Sequence, residues 1–95
     1  MKKTILVFGR QSEIMNKVQM GLEANGFKVI GCLLDSQAID GIRSKAIEVV
    51  AIGGGIESAS RTLIKNIIMQ EKPEIKIIEQ WGNINNFVQE ILEQI

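Results

Sequence analysis

Short apolar runs alternate along the chain with segments in which apolar residues recur every three or four positions. The runs are rich in isoleucine and valine and are five to seven residues long. Near-continuous apolar runs of this length are typical of strands buried on both faces of a sheet. We therefore predict four strands, at residues 4–8, 28–34, 48–52 and 74–78.

The segments between and after these runs have the period of amphipathic helices. Asn25-Gly26 favours the end of the first helix, and Pro73 follows the third. Asp35 or Ser36 is the expected N-cap of the second helix, and Asn83 that of the fourth. The four apolar stripes are Ile14, Met15, Val18 and Leu22; Ala38, Ile39, Ile42 and Ala46; Ala59 or Ser60, Leu63, Ile64, Ile67 and Ile68; and Ile84, Phe87, Val88, Ile91, Leu92 and Ile95.

Strict alternation of strands and helices predicts an α/β fold with a parallel sheet. With strand order 2-1-3-4, right-handed crossovers put the first helix on one face and the next two on the other. One helix cannot cover four strands, so we expect the last helix beside the first. The prediction is one domain over residues 1–95, a three-layer α/β/α sandwich. The alternative leaves the last helix at the sheet edge or against a second subunit.

Composition removes several classes of function. Eleven basic and eleven acidic residues cancel, and three Phe and one Trp are too few for base stacking, so we expect no nucleic-acid partner. The absence of histidine excludes His-based catalysis, and we expect no metal and no cofactor. No apolar segment is long enough for a membrane span, and the N-terminus does not resemble a signal peptide. A single cysteine, Cys32, fits a cytoplasmic location and is expected to pack in the core.

The strand order also predicts a crevice at the carboxyl ends of strands 1 and 3, because the chain leaves them in opposite directions. Three glycines follow strand 3, and their amides could bind an anion together with the positive end of the next helix. Asp35, after strand 2, is expected to cap a helix rather than to bind a ribose. The candidate ligand-binding residues are Gly9, Arg10, Ser12, Gly53, Gly54, Gly55, Ser58 and Arg61.

A structural turn is the interpretation of the glycine loop that we favour. In that case the glycines supply positive φ, Glu57 or Ser58 caps the following helix, and Arg61 faces water. Glu57 would compete with an anion for the same amides. The loop lacks the Gly-Lys-Ser/Thr of a P-loop, and residues 9–14 keep one glycine of a dinucleotide fingerprint.

Residues 3–80 resemble the receiver domain of bacterial response regulators. The stretch "KTILVFGRQSEIMNKVQMGLEANGFKVIG" has the strand, loop and long helix of a receiver opening, followed by Leu-x-x-x-Gly-aromatic-x-Val. "EVVAIGG" resembles the third receiver strand, and "PEIKIIEQ" resembles the fourth. The resemblance implies a flavodoxin-like fold and a place in two-component signalling.

Receivers accept a phosphoryl group on an aspartate, assisted by Mg²⁺, an acidic pair, a Ser/Thr and a Lys. The resemblance places Gly9 and Arg10 at the acidic pair, Gly53 at the phosphoacceptor and Glu79 at the hydroxyl, and it finds no fifth strand with the lysine. It therefore implies a degenerate, shortened receiver relative without phosphoryl chemistry.

We accordingly expect a non-catalytic interaction or regulatory module that binds a protein partner or forms a homo-oligomer, with the exposed edge of strand 4 as the site that favours self-association. The alternative is a domain that binds a phosphate-bearing metabolite or nucleotide in the crevice. An enzyme is the interpretation that the residues favour least.

Overall fold

The computed structural model describes residues 3–79 and 87–95. Its elements alternate as β1 (Thr4–Phe8), α1 (Ser12–Ala24), β2 (Lys28–Cys32), α2 (Asp35–Ser44), β3 (Val49–Ile52), α3 (Ser58–Glu71), β4 (Lys76–Ile78) and α4 (Phe87–Gln94). The strands are parallel and lie in the order β2-β1-β3-β4. The predicted α/β fold and strand order are confirmed.

The two central strands, β1 and β3, contain the most deeply buried residues of the sheet. Every residue from Ile5 to Phe8 in β1, and from Val50 to Ile52 in β3, has 0% exposed surface. The edge strand β2 instead leaves Lys28 and Gly31 exposed. Helices therefore cover both faces of β1 and β3, which explains why these segments are apolar at consecutive positions.

Two apolar clusters flank the sheet. One joins strand residues to α1 and α4, through Ile5, Val7, Met15, Val18, Leu22, Val29, Val49, Ala51, Ile78 and Ile91. The other joins the opposite face to α2 and α3, through Leu6, Phe8, Cys32, Ala38, Ile42, Ile47, Val50, Ile52, Ile56, Ile64, Ile67, Ile68 and Ile75. The prediction that the first and last helices share a face is confirmed.

Several local predictions need correction. The second helix ends at Ser44, so Ala46 is exposed beyond it, and Leu63 on α3 is 43% exposed. The N-cap of α2 is Leu34 rather than Asp35 or Ser36, because the side-chain oxygen of Gln37 accepts the Leu34 N–H at 3.1 Å. The predicted cap Asn83, with Ile84 of the last stripe, lies outside the described residues.

Within residues 3–79 and 87–95, no helix has the length and apolar character needed to cross a membrane.

Candidate functional site

The site lies at the carboxyl end of the sheet, where the chain leaves β1, β2 and β3. Arg10 follows β1, Asp35 begins α2 after β2, and Glu57 precedes α3 after β3. These positions are far apart in sequence, and the parallel sheet brings them to one edge. The fold thus places one arginine and two carboxylates in the predicted crevice.

The guanidinium of Arg10 is held by oxygen atoms from both neighbouring loops. Its Nη2 donates to Asp35 Oδ1 at 2.6 Å and to Glu57 Oε2 at 2.8 Å. Its Nε reaches Glu57 Oε1 at 3.3 Å, and its Nη1 donates to the Leu33 carbonyl at 2.6 Å. The guanidinium carbon also lies 5.1 Å from the centre of the Phe8 ring. We call Arg10, Leu33, Asp35, Glu57 and Ser60 the Arg10 cluster.

Ser60 closes the Arg10 cluster from the first turn of α3. Its hydroxyl donates to Asp35 Oδ2 at 2.6 Å and accepts from Arg10 Nη2 at 3.3 Å. Ser60 is 9% exposed, so its hydroxyl needs such partners. The sequence indicates Ser60 both as an alternative to Ala59 on the apolar stripe of α3 and as a first-turn residue that could extend the crevice site.

Charge in the Arg10 cluster favours a cation over an anion. One guanidinium against two carboxylates leaves a net charge of −1 (+1 − 2). The hydrogen bond from Ser60, and then that from Arg10, lowers the pKa of Asp35. Arg10 likewise lowers the pKa of Glu57, and the two carboxylates raise the pKa of Arg10. An anion that approached Arg10 would have to compete with both carboxylates.

A second network ties α3 to the end of β4. Arg61 donates to Glu79 Oε1 at 2.9 Å and to the Gly53 carbonyl at 2.6 Å. Lys65 bonds the other oxygen of Glu79 at 3.1 Å. The hydrogen bond from Arg61 is the main cause that lowers the pKa of Glu79. The expectation that Arg61 faces water is wrong, because Arg61 bridges the loop after β3 and the end of β4.

The glycine loop is a turn, but not of the expected kind. Gly53 accepts the Ile56 N–H at 3.2 Å, which closes an i to i+3 turn. Among the described residues positive φ occurs at Gly26 alone, so the expectation of positive φ at residues 53–55 is wrong. A Cβ added at Gly54 or Gly55 would meet no atom within 4 Å. Neither backbone strain nor close packing therefore requires glycine at these two positions.

The other candidate residues border the same crevice. The N–H groups of Gly9 and Gly53 donate to Cys32 and Phe8 carbonyls at 3.0 and 2.8 Å, so both are already used. Ser12 and Ser58 begin α1 and α3 and are exposed. Among the described residues no side chain caps the N-terminus of α1 or of α3. At the N-cap position of α3, the side chain of Glu57 bonds Arg10 instead. Anion binding by this set stays a prediction.

Cys32 packs in the core, as predicted from the sequence. It is 2% exposed, and burial raises the pKa of its thiol to about 11. A protonated, buried thiol is a poor nucleophile.

The crevice does not fit the Mg²⁺ that the receiver resemblance implies. Gly9, Arg10 and Gly53 stand at the carboxylate positions, and none of them offers a carboxylate. Within residues 3–79 and 87–95 no three His, Cys, Asp or Glu side chains are grouped so that they could hold a metal ion. The positive charge between Asp35 and Glu57 is the guanidinium of Arg10.

Solved structures of receiver domains share this fold. A response regulator from Thermotoga maritima matches with a TM-score of 0.70 and 26% identity, over 81% of this chain and 64% of its own. A CheY-like receiver domain protein from Methanospirillum hungatei JF-1 matches with a TM-score of 0.74 and 14% identity, over 99% and 77%. The non-phosphorylated HemR receiver domain from Leptospira biflexa gives 0.72 and 18%, over 97% and 73%.

The resemblance to receiver domains predicted from the sequence is confirmed. The chain has the flavodoxin-like receiver fold and is a receiver-like module. It spans 64% of the length of the Thermotoga protein. No protein-family model matches the sequence, and no curated protein does.

Proposed function

We propose that this chain is a non-catalytic receiver-like module that acts by binding a protein partner and accepts no phosphoryl group. The observation that carries the proposal is the position of Arg10, whose guanidinium lies between Asp35 and Glu57 in the crevice. Gly53, at the implied phosphoacceptor position, has no side chain to attack phosphorus. The implied phosphoacceptor position thus lacks a nucleophile, and the arginine of the crevice supplies the cation.

The second network supports a module held in one arrangement. Arg61 bonds the Gly53 carbonyl and Glu79 together, so the loop after β3 and the end of β4 are linked through α3. A receiver that responds to phosphorylation needs two arrangements of such elements, with a ligand that favours one of them. In this chain the side chain of Arg10 fills the crevice, and that of Arg61 links the loop after β3 to the end of β4. A partner would therefore recognise a constant surface.

Self-association is the form of partnership that we propose. Strand β4 lies at one edge of the sheet, and among the described residues it pairs with β3 alone. An open strand edge is a ready site for pairing with another chain. Sedimentation equilibrium over a wide concentration range tests this form, and a monomer at every concentration would point to a different protein as the partner.

The phosphorylation claim is tested by NMR. Wild-type protein is titrated with beryllofluoride and Mg²⁺, and separately with acetyl phosphate and Mg²⁺, while amide signals of residues 9–12 and 53–58 are followed. We expect no saturable shift and no change of intact mass with acetyl phosphate. A receiver with an intact acidic pair is the positive control. Specific shifts that saturate at millimolar reagent would contradict the proposed function.

A further inference from the structure

We infer that the outward face of α3 is a self-association surface, on which a second copy of this chain packs its own α3 antiparallel about a two-fold axis. We call Ala59, Thr62, Leu63, Asn66, Met69 and Gln70 the α3 face. The inference rests on the proposed function in taking a second copy as the partner. It adds a contact surface that is separate from the edge of β4.

The α3 face contains every exposed residue between positions 59 and 70, and none of the six is charged. The two charged residues of this stretch, Arg61 and Lys65, are half-buried and both bond Glu79. The exposed surfaces of the other described helices carry charge, at Glu13, Lys17 and Glu23 of α1, Asp40 and Arg43 of α2, and Glu93 of α4. Among the described helices, α3 therefore presents the longest exposed surface without charge.

The α3 face also has the composition of an interface. A helix turns by about 100° per residue, so the six residues cover a sector about 120° wide on one side of α3. Leu63, which is 43% exposed, and Met69, which is 67% exposed, lie at the two margins of this sector, with Asn66 between them. Charged residues are depleted at the centres of protein interfaces, and methionine is enriched there.

The lack of charge favours a second copy as the partner. A two-fold contact brings the same surface of two copies together, so a charged surface would meet its own charge and be repelled. The α3 face can meet itself without this repulsion. Eleven basic and eleven acidic residues also leave no long-range repulsion between two copies.

The two ends of α3 carry opposite net charge, which favours the antiparallel arrangement. The beginning of the helix carries −1 (+1 − 2), from Arg10, Asp35 and Glu57. The surroundings of its last turn carry +1 (+3 − 2), from Arg43, Lys45, Lys72, Glu71 and Glu74. An antiparallel pair places the acidic end of each helix beside the basic end of the other. The side chains of Arg43 and Glu57 are 55% and 62% exposed, so they are available for ion pairs at the rim.

The test compares wild type with Leu63→Glu and, as the matched control, Met20→Glu. Both substitutions put a carboxylate at an exposed apolar residue, but Met20 lies on α1, on the opposite face of the sheet. Sedimentation equilibrium measures the Kd, and NMR spectra recorded on dilution show which amide signals shift.

We expect wild type to dimerise with a Kd on the order of 100 µM, as for a small interface, and its dilution shifts to include residues 59–70. Leu63→Glu should raise the Kd at least about tenfold, because two carboxylates then face each other across the axis. Met20→Glu should change the Kd by less than about twofold.

A charge exchange tests the two-fold pairing itself. With the axis at the middle of Ser58–Glu71, position 63 of one copy lies beside positions 63 and 66 of the other. Leu63→Lys alone should therefore weaken association as Leu63→Glu does. An equimolar mixture of the two variants should associate at least about tenfold more tightly than either one alone. Urea unfolding checks that each variant is folded, and Asn66→Glu with Asn66→Lys replaces the pair if a Leu63 variant is not.

Each outcome decides the inference. A wild type that stays monomeric up to a concentration on the order of 1 mM would overturn it. Equal effects of Leu63→Glu and Met20→Glu, or dilution shifts confined to residues 74–79, would also overturn it and would leave self-association at β4 standing. So would a mixture of the Glu and Lys variants that associates no better than its components. The beryllofluoride titration tests the proposed lack of phosphorylation separately, so that part of the proposed function can fail or stand on its own.

Discussion

The hydroxyl of Ser60 lies 2.6 Å from Oδ2 of Asp35 and so joins the first turn of α3 to the first residue of α2. The other oxygen of this carboxylate accepts from Arg10 at 2.6 Å. Asp35 therefore connects the chain segments that follow all three neighbouring strands. At the opposite ends of the same helices, Arg43 pairs with Glu71 at 2.8 Å. The helix pair α2 and α3 is fastened at both ends.

Ser60→Ala should raise the pKa of Asp35 toward its ordinary value. The hydrogen bond from Ser60 is the largest cause of the lowered pKa, because it stabilises the charged carboxylate. A side-chain carboxyl NMR titration measures the change. Ser44→Ala is the control, since the Ser44 hydroxyl bonds an exposed backbone carbonyl on the same helix. An unchanged Asp35 pKa in Ser60→Ala would show that Arg10 alone holds the carboxylate.

Stability should fall in acid, and less steeply when Arg10 is removed. The pKa values of Asp35 and Glu57 are lowered in the folded protein. Their contribution to the unfolding free energy is therefore present above the unfolded pKa of about 4 and is lost as pH falls through the folded values. Urea unfolding of wild type and Arg10→Ala between about pH 2 and pH 7 measures both slopes. Equal slopes would contradict the assigned cause.

Gly54→Ala and Gly26→Ala should differ in effect. Gly26 has a φ of 88° and lies two residues beyond the end of α1, so alanine there should cost about 1–2 kcal/mol of unfolding free energy. At Gly54 neither positive φ nor a close neighbour opposes a Cβ, so alanine should leave stability unchanged or raise it by up to about 1 kcal/mol. Chemical denaturation measures both. A loss at Gly54 similar to that at Gly26 would refute the observed turn geometry.

Phosphate or sulfate should bind the glycine loop weakly, in the millimolar range, and with little dependence on Arg10. The guanidinium is already bonded to Asp35 and Glu57, so a loop anion would meet only backbone amides and the end of α3. Titrations of wild type and Arg10→Ala, followed by NMR, compare the affinities. Micromolar binding that Arg10→Ala abolishes would instead favour the ligand-binding alternative.

The fold could be predicted because its signals are local. The consecutive burial of Ile5 to Phe8 is visible in the sequence as one apolar run. The wide apolar stripe of the last helix indicated that this helix packs beside α1 on the same face of the sheet. Element ends were less predictable. The helix α2 begins where the side chain of Gln37 caps the backbone at Leu34, an interaction that competes with the ordinary preference for Asp or Ser.

The location of the candidate site could be predicted from the sequence, but the pairing of its side chains could not. Strand order located Arg10 at the crevice, yet its partners Asp35 and Glu57 are 25 and 47 positions away. Pairing over such distances depends on side-chain geometry that no local pattern contains. The prediction of positive φ in the glycine loop was wrong. The turn closed by the hydrogen bond from the Ile56 N–H is compatible with negative φ, so it needs no glycine.

A crystal structure grown with Mg²⁺, beryllofluoride and sulfate tests the central claim most directly, since it shows what occupies the crevice when every competitor is present. The structure should keep Arg10 Nη2 within hydrogen-bonding distance of Asp35 and Glu57, as at 2.6 and 2.8 Å here. No Mg²⁺ should lie among the oxygen atoms of the Arg10 cluster. A Mg²⁺ ion with oxygen ligands at about 2.0–2.1 Å, or beryllofluoride in the crevice with Arg10 turned to solvent, would contradict it.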